Sequence, residues 1–279
     1  MRQIPSETIT ETVRRLCFEA NYYLTEDLQE RIRSCRAAED WAPAAEILDR
    51  IIENFEIAAE GPQPICQDTG MACVFLEIGQ DVHIEGDLTA AVDEGVRLGY
   101  TEGYLRKSVV KDPLDRVNTR DNTPAVLYTE LVPGDQIRVT VAPKGFGSEN
   151  MSQIKMLRPS DGVEGVKDFI LKVVADAGPN PCPPVVVGVG IGGTFDKAAL
   201  MSKKALLRPV DQRHPEPFYA ALEEEMLEKI NELGIGPQGF GGRTTALGVN
   251  IEKAPTHIAG LPVAVNISCH VTRHKTEVI

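Results

Sequence analysis

The chain has 279 residues, enough for one large domain or two small ones with a sizeable core. Its 42% hydrophobic and 25% charged residues are ordinary for a soluble globular protein. A formal net charge of -12 argues against a general nucleic-acid or acidic-membrane binder, since both need basic surface. A small anionic substrate stays open, because a few arginines set the sign of a pocket.

Residues 1–11 are polar and charged, unlike a signal peptide, and no stretch has the apolar length of a membrane-spanning helix. The expected setting is therefore the cytoplasm, where disulfides are rare. The first sixty residues read as helices. Ile9, Val13, Leu16 and Ala20 recur at helical spacing, with a capping-box pattern at Thr8 and Glu11. A third stripe, Ile47, Leu48, Ile51, Ile52 and Phe55, follows Asp40 and has Pro43 in its opening turn.

Gly61-Pro62-Gln63-Pro64 is expected to break this helix, and residues 71–78 read as a strand. Residues 88–99 suit a helix, and Ile137, Val139 and Val141 alternate as a strand does. Val163, Val166, Phe169, Ile170 and Val173 mark a helix that stops at Gly178-Pro179. Residues 185–189 form a β-branched run, and residues 216–233 an amphipathic helix closed by Gly234. Leu247, Val249 and Ile251, then Val263, Val265 and Ile267, predict two late strands. The expected class is α/β: a helical region over about residues 1–60, then a mixed α/β domain, with the whole of 1–279 as a single domain and no clear linker.

Six cysteines need a reading other than a disulfide framework. Cys17 and Cys35 sit in helical stripes and Cys73 in a strand, as core residues do. Cys66 lies in a helix-to-strand loop, Cys182 immediately before a strand, and Cys269 at the end of an alternating run. Such positions let a side chain point into a shared pocket. Their wide separation matches no compact zinc or ferredoxin spacing, and spacing alone favours small buried hydrophobes over ligands.

The sequence around them is more telling. ICQDTGMACVF surrounds Cys66, YLRKSVVKDPLDRVNTRDNTPA starts at Tyr104 and KGFGSEN at Lys144. CPPVVVGVGIGGTFDKA starts at Cys182, GIGPQGFGGRTTALGVNIE at Gly234, and THIAGLPVAVNISCH ends just past Cys269. In this order, over nearly the whole chain, these segments resemble the α subunit (or N-terminal domain) of class I fumarases and L-tartrate dehydratases, the Fe–S hydro-lyase family.

That resemblance implies a 4Fe–4S cluster held by Cys66, Cys182 and Cys269, with one iron lacking a protein ligand. It also implies reversible hydration of fumarate to malate, with L-tartrate as the alternative substrate. It makes Asp68 and His257 catalytic, and Gln67, Arg106 and Gly147 substrate-binding; the family's Gly-rich segment carries Phe146 here. Without the resemblance, Asp68 reads as an Asx-turn residue before Thr69-Gly70, His257 as a structural histidine and Arg106 as a surface charge. The family's second domain, which completes the site, has no counterpart before Ile279. A separate β subunit is therefore expected, in a dimer of αβ pairs.

Two rival readings remain. Residues 188–193 satisfy G-x-G-x-x-G, with Asp211 about where a ribose-binding acid falls in a nicotinamide dehydrogenase. Against it, residues 208–215 make no apolar second strand. A non-catalytic Fe–S or zinc scaffold would not require Asp68, Arg106 and His257.

Overall fold

A computed structural model describes every residue except Pro62, so the expected break at residues 61–64 falls partly outside the described residues. In chain order the first elements are β1 (Arg2–Pro5), α1 (Ser6–Tyr22), α2 (Glu26–Ala38), α3 (Ala42–Glu60), β2 (Met71–Gly79) and β3 (Val82–Glu85). Then come α4 (Leu88–Glu102), β4 (Val126–Val132), β5 (Ile137–Lys144), α5 (Phe146–Glu149), β6 (Gln153–Leu157) and α6 (Gly162–Ala177). The last are β7 (Val185–Gly193), α7 (Phe195–Ala205), α8 (Pro217–Glu232), β8 (Ala246–Thr256), β9 (Leu261–Ser268) and β10 (Lys275–Val278). The fold is mixed α/β.

The periodic segments fold as their patterns dictate, but the capping-box expectation fails. Helix α1 starts at Ser6, with Pro5 at the N-cap, so Thr8 and Glu11 lie inside it. There the Thr12 hydroxyl donates to the Thr8 carbonyl at 2.8 Å. A four-residue pattern of this kind also occurs inside a helix, where the backbone N–H that its first residue would cap is already bonded to the carbonyl four residues back.

Two compact units form. One comprises Met1–Leu24, Phe55–Phe146 and Arg273–Ile279; the other comprises Thr25–Asn54 and Gly147–Thr272. The chain passes from one to the other after Leu24, Asn54, Phe146 and Thr272. No single linker marks the division, which is why none shows in the sequence.

The first unit holds a four-stranded sheet in the order β10-β5-β2-β4, with β2 antiparallel to β5 and parallel to β4. Alternation puts Ile137, Val139 and Val141 of β5 into a core with Ile9, Val13 and Leu16 of α1 and Val92, Val96 and Tyr100 of α4. Here Gly70 is required. Its φ is +74°, and a Cβ would stand 2.8 Å from the Lys144 backbone, which pairs with Met71.

The second unit holds a sheet in the order β6-β9-β7-β8. Central β7 is antiparallel to β9 and parallel to β8, and is buried along nearly its whole length. Val185, Val187, Val189 and Ile191 share a core with Val166, Phe169, Ile170 and Val173 of α6 and Met226 and Ile230 of α8. Helix α7 covers Gly188 and Gly190: a Cβ there would stand 2.2 Å from Ser202 O and 2.1 Å from Ala198 O. The G-x-G-x-x-G pattern therefore lies within a strand and lets a helix approach it. It is not the turn that cradles a pyrophosphate.

Candidate active site

Cys66, Gln67 and Asp68 lie on the loop that enters β2. The Asp68 amide donates to Cys66 Sγ at 3.4 Å, and Gln67 is exposed. The Asp68 carboxylate is held at both oxygens: Oδ1 accepts from Gly70 N (3.1 Å) and Oδ2 from Phe146 N (2.9 Å). The first of these is the Asx turn that the bare sequence suggests. The turn does not exhaust the carboxylate, since each oxygen keeps a lone-pair direction for a further donor.

Arg106 joins this loop through its backbone. The buried Thr69 hydroxyl accepts from Arg106 N at 2.9 Å and donates to Arg106 O at 3.2 Å. The Arg106 side chain is exposed, and its guanidinium has no protein partner among the described residues. A fixed backbone carrying a free, forked cation suits capture of a carboxylate.

In the second unit, register brings two cysteines to one end of the sheet. Val186 pairs with Ser268, so Cys182 before β7 and Cys269 after β9 leave the same edge. His270 Nδ1 meets the Cys182 carbonyl at 3.0 Å. Gln238 fixes the same loop, donating to Pro183 O from its backbone (2.7 Å) and from Nε2 (2.8 Å). Cys182 itself is exposed and takes φ +54°, a conformation that L residues adopt at a cost of order 1 kcal/mol.

Gly147 lies in α5, next to the Phe146 whose amide holds Asp68. His257 is exposed in the β8–β9 turn, where Nδ1 accepts from Ala259 N at 3.2 Å. It stands at the opposite end of β9 from Cys269. The eight residues of that strand separate them by about 25 Å at the rise of an extended chain. The structure thus groups Cys66, Gln67, Asp68 and Arg106, and separately Cys182 with Cys269, but not His257 with the pair.

A profile of the family described as Fumarate hydratase (Fumerase) matches residues 10–278. The chain belongs to this family. It is 44% identical over 273 residues to a Methanocaldococcus jannaschii protein named "Putative L(+)-tartrate dehydratase subunit alpha", covering 95% of each chain. It is 34% identical to the L(+)-tartrate dehydratase subunit alpha of Escherichia coli strain UTI89, covering 96% of this chain and 89% of that one. The strain K12 protein of the same name is 33% identical, with 97% and 90% covered. The expectation of a hydro-lyase of the α-subunit type stands.

The cysteines of this fumarate hydratase family member divide by environment. Cys17 and Cys73 are buried, as core residues are, and burial pushes the Cys17 thiol up; Cys35, expected in the core, is only half-buried, though burial raises its thiol too. Cys66, Cys182 and Cys269 are exposed or half-buried at loop positions, and Cys66 already accepts an amide N–H. Thiolate donors of this kind fit an iron–sulfur group, whose sulfurs take such hydrogen bonds. Among the described residues, no group of three or more His, Cys, Asp and Glu side chains is gathered as a metal-holding set. No described helix is long and apolar enough to cross a membrane.

The sequence reading missed Thr69, Gln238 and His270. Each lies within a quoted family segment or just beyond Cys269, and only its hydrogen bonds distinguish it.

Proposed function

We propose that this chain is the cluster-bearing α subunit of a two-subunit enzyme that reversibly hydrates fumarate to (S)-malate. The observation that carries this reading is the free guanidinium of Arg106, tied through Thr69 to the loop that presents the Asp68 carboxylate. A cation for a substrate carboxylate and a carboxyl group that orients the hydroxyl or handles a proton as it leaves as water are two groups that a hydroxy-dicarboxylate can use from this half of a site.

Cys66, Cys182 and Cys269 would hold a 4Fe–4S cluster, which when bound supplies a Lewis-acid iron lacking a protein ligand. Arg106 grips one carboxylate, with Gln67 and Gly147 adding polar contacts. Asp68 orients the substrate hydroxyl or handles a proton as that hydroxyl leaves as water, while its other lone pairs stay with Gly70 and Phe146. Half-buried thiols and an oxidant-sensitive cluster suit a reducing compartment, so the cytoplasm is the proposed location.

The relatives' names as alpha subunits support a β partner, and a dimer of αβ pairs is proposed. That assembly gives His257 a role that its place in the β8–β9 turn denies it within one chain: catalysis in the site of the second pair. The same names favour a second substrate reading, L-tartrate, which differs from malate by one hydroxyl.

The test is anaerobic reconstitution with iron and sulfide together with the β partner, comparing kcat/KM on malate and L-tartrate. The expected result is preference for malate and near-inactivity of the α chain alone. Preference for tartrate selects the second reading. Substantial activity from the α chain alone, or none on any dicarboxylate with the cluster loaded, overturns the proposal.

A further inference from the structure

Three buried donors converge on three successive carbonyls of the Asp68 loop. Arg273, 5% exposed, donates from Nη2 to Asp68 O. Tyr100, fully buried on α4, donates from its hydroxyl to Thr69 O at 2.7 Å and lies 3.2 Å from Gly70 O. Asn122, also fully buried, donates from Nδ2 to Gly70 O at 3.2 Å. Its Oδ1 accepts from Ser108 N (2.7 Å) and Val109 N (3.3 Å), so it bridges two segments.

From these contacts we infer that Tyr100, Asn122 and Arg273 are positioning residues, which fix where the Cys66 sulfur and the Asp68 carboxylate stand. The inference rests on the proposed roles of Cys66 and Asp68. Its physical core is one peptide plane. The carbonyl of Thr69 takes the Tyr100 hydroxyl, and the N–H of the same peptide, on Gly70, donates to Asp68 Oδ1. Pulling the carbonyl inward aims the N–H at the carboxylate and polarises it. Burial also pushes the Tyr100 phenol well above its ordinary pKa, so it stays a donor across the working pH range.

Arg273 adds a second argument. It forms no ion pair among the described residues, and its Nε and Nη1 are buried without a partner. A charge buried with so little compensation is a poor device for stability, and an apolar replacement of similar length is often neutral or stabilising. Its hold on the Asp68 carbonyl is then its use.

The experiment compares wild type, Tyr100→Phe and Arg273→Met, with two readouts. In the reconstituted αβ enzyme, each variant is expected to lose about tenfold or more in kcat, with KM within about twofold, because misplacement of a reacting group is felt in turnover. In the cluster-free α chain, the rate of Cys66 alkylation by iodoacetamide, read by peptide mass spectrometry, shifts about threefold or more. The buried Cys17 and Cys73 stay protected, and the Arg273→Met unfolding midpoint does not fall.

An unchanged Cys66 rate overturns the inference. So does reactivity that rises at Cys17 and Cys73 as well, or a midpoint that falls with Arg273→Met, since either marks ordinary structural roles. Wild-type enzyme inactive on every dicarboxylate would sink the functional reading instead, while the alkylation rates still decide the positioning.

Discussion

One hydroxyl clamps both backbone polar groups of Arg106: Thr69 Oγ1 accepts its N–H at 2.9 Å and donates to its carbonyl at 3.2 Å. Arg106 is thirty-seven residues further along the chain, yet it is held as if it were a neighbour. Thr69→Val keeps the shape and removes both bonds. The expected result is a rise of about tenfold in KM for malate with a smaller change in kcat, since ground-state capture of the carboxylate is what suffers. Thr69→Ser should restore most of the loss; steady-state kinetics of the αβ enzyme decide it.

Asp68→Asn is not a quiet change. Both carboxylate oxygens accept backbone N–H groups, from Gly70 and Phe146, so an amide must set its own N–H₂ against one of them. A fall of about 10²-fold or more in kcat is expected from loss of the proton-handling oxygen. A stability loss of about 1–3 kcal/mol should accompany it from the facing donors. Denaturant unfolding measured beside kcat separates the two.

A different acid should matter only to the fold. Glu223 is fully buried on α8, where it pairs with Arg208 and accepts from His214 N (2.9 Å) and Ile251 N (2.8 Å). Glu223→Ala strands two amides and takes the nearest carboxylate from the Arg208 guanidinium, leaving it Glu252 at 3.7 Å and the Ile251 carbonyl at 3.1 Å, and is expected to cost about 3 kcal/mol. Whatever protein still folds should turn over malate at the wild-type kcat.

The buried thiols set a pH dependence. Burial raises the pKa of Cys17 in the fold, so the native state keeps that proton where an unfolded chain gives it up. The native state then binds more protons above the unfolded value, and stability falls as pH rises past about 8.5. Cys17→Ala should flatten the decline of the unfolding midpoint between about pH 8 and pH 10.

His257 offers a test of assembly. If it serves the second αβ pair, His257→Asn and Cys66→Ser enzymes, each inactive alone, should regain activity when their subunits are exchanged. Hybrid dimers keep one site with both residues intact. Failure to complement, with hybrids shown to form, would remove the cross-pair role.

Local pattern was enough to place most helices and strands. The stripe Ile9, Val13, Leu16 and the alternation Ile137, Val139, Val141 each state in a few residues which side meets a core. Short β1, β3, β6 and β10 were not legible, because four or five residues carry no period, and β4 is exposed or half-buried along its length. The separation of cysteines was readable in part: Cys17 and Cys73, in apolar stripes, are buried, but Cys35, in a helical stripe as well, is half-buried like Cys66 and Cys269.

By itself, then, the sequence determined the α/β class, the places of the elements and, through its motifs, the family. Only the tertiary structure decided that β7 and β9 run antiparallel with Cys182 and Cys269 at one end, that His257 stands at the other, and that Tyr100, Asn122 and Arg273 close on the Asp68 loop. Periodicity records which way a side chain faces relative to its own neighbours. Strand pairing and buried polar contacts join residues 30 to 205 positions apart, and no local pattern encodes that partnership.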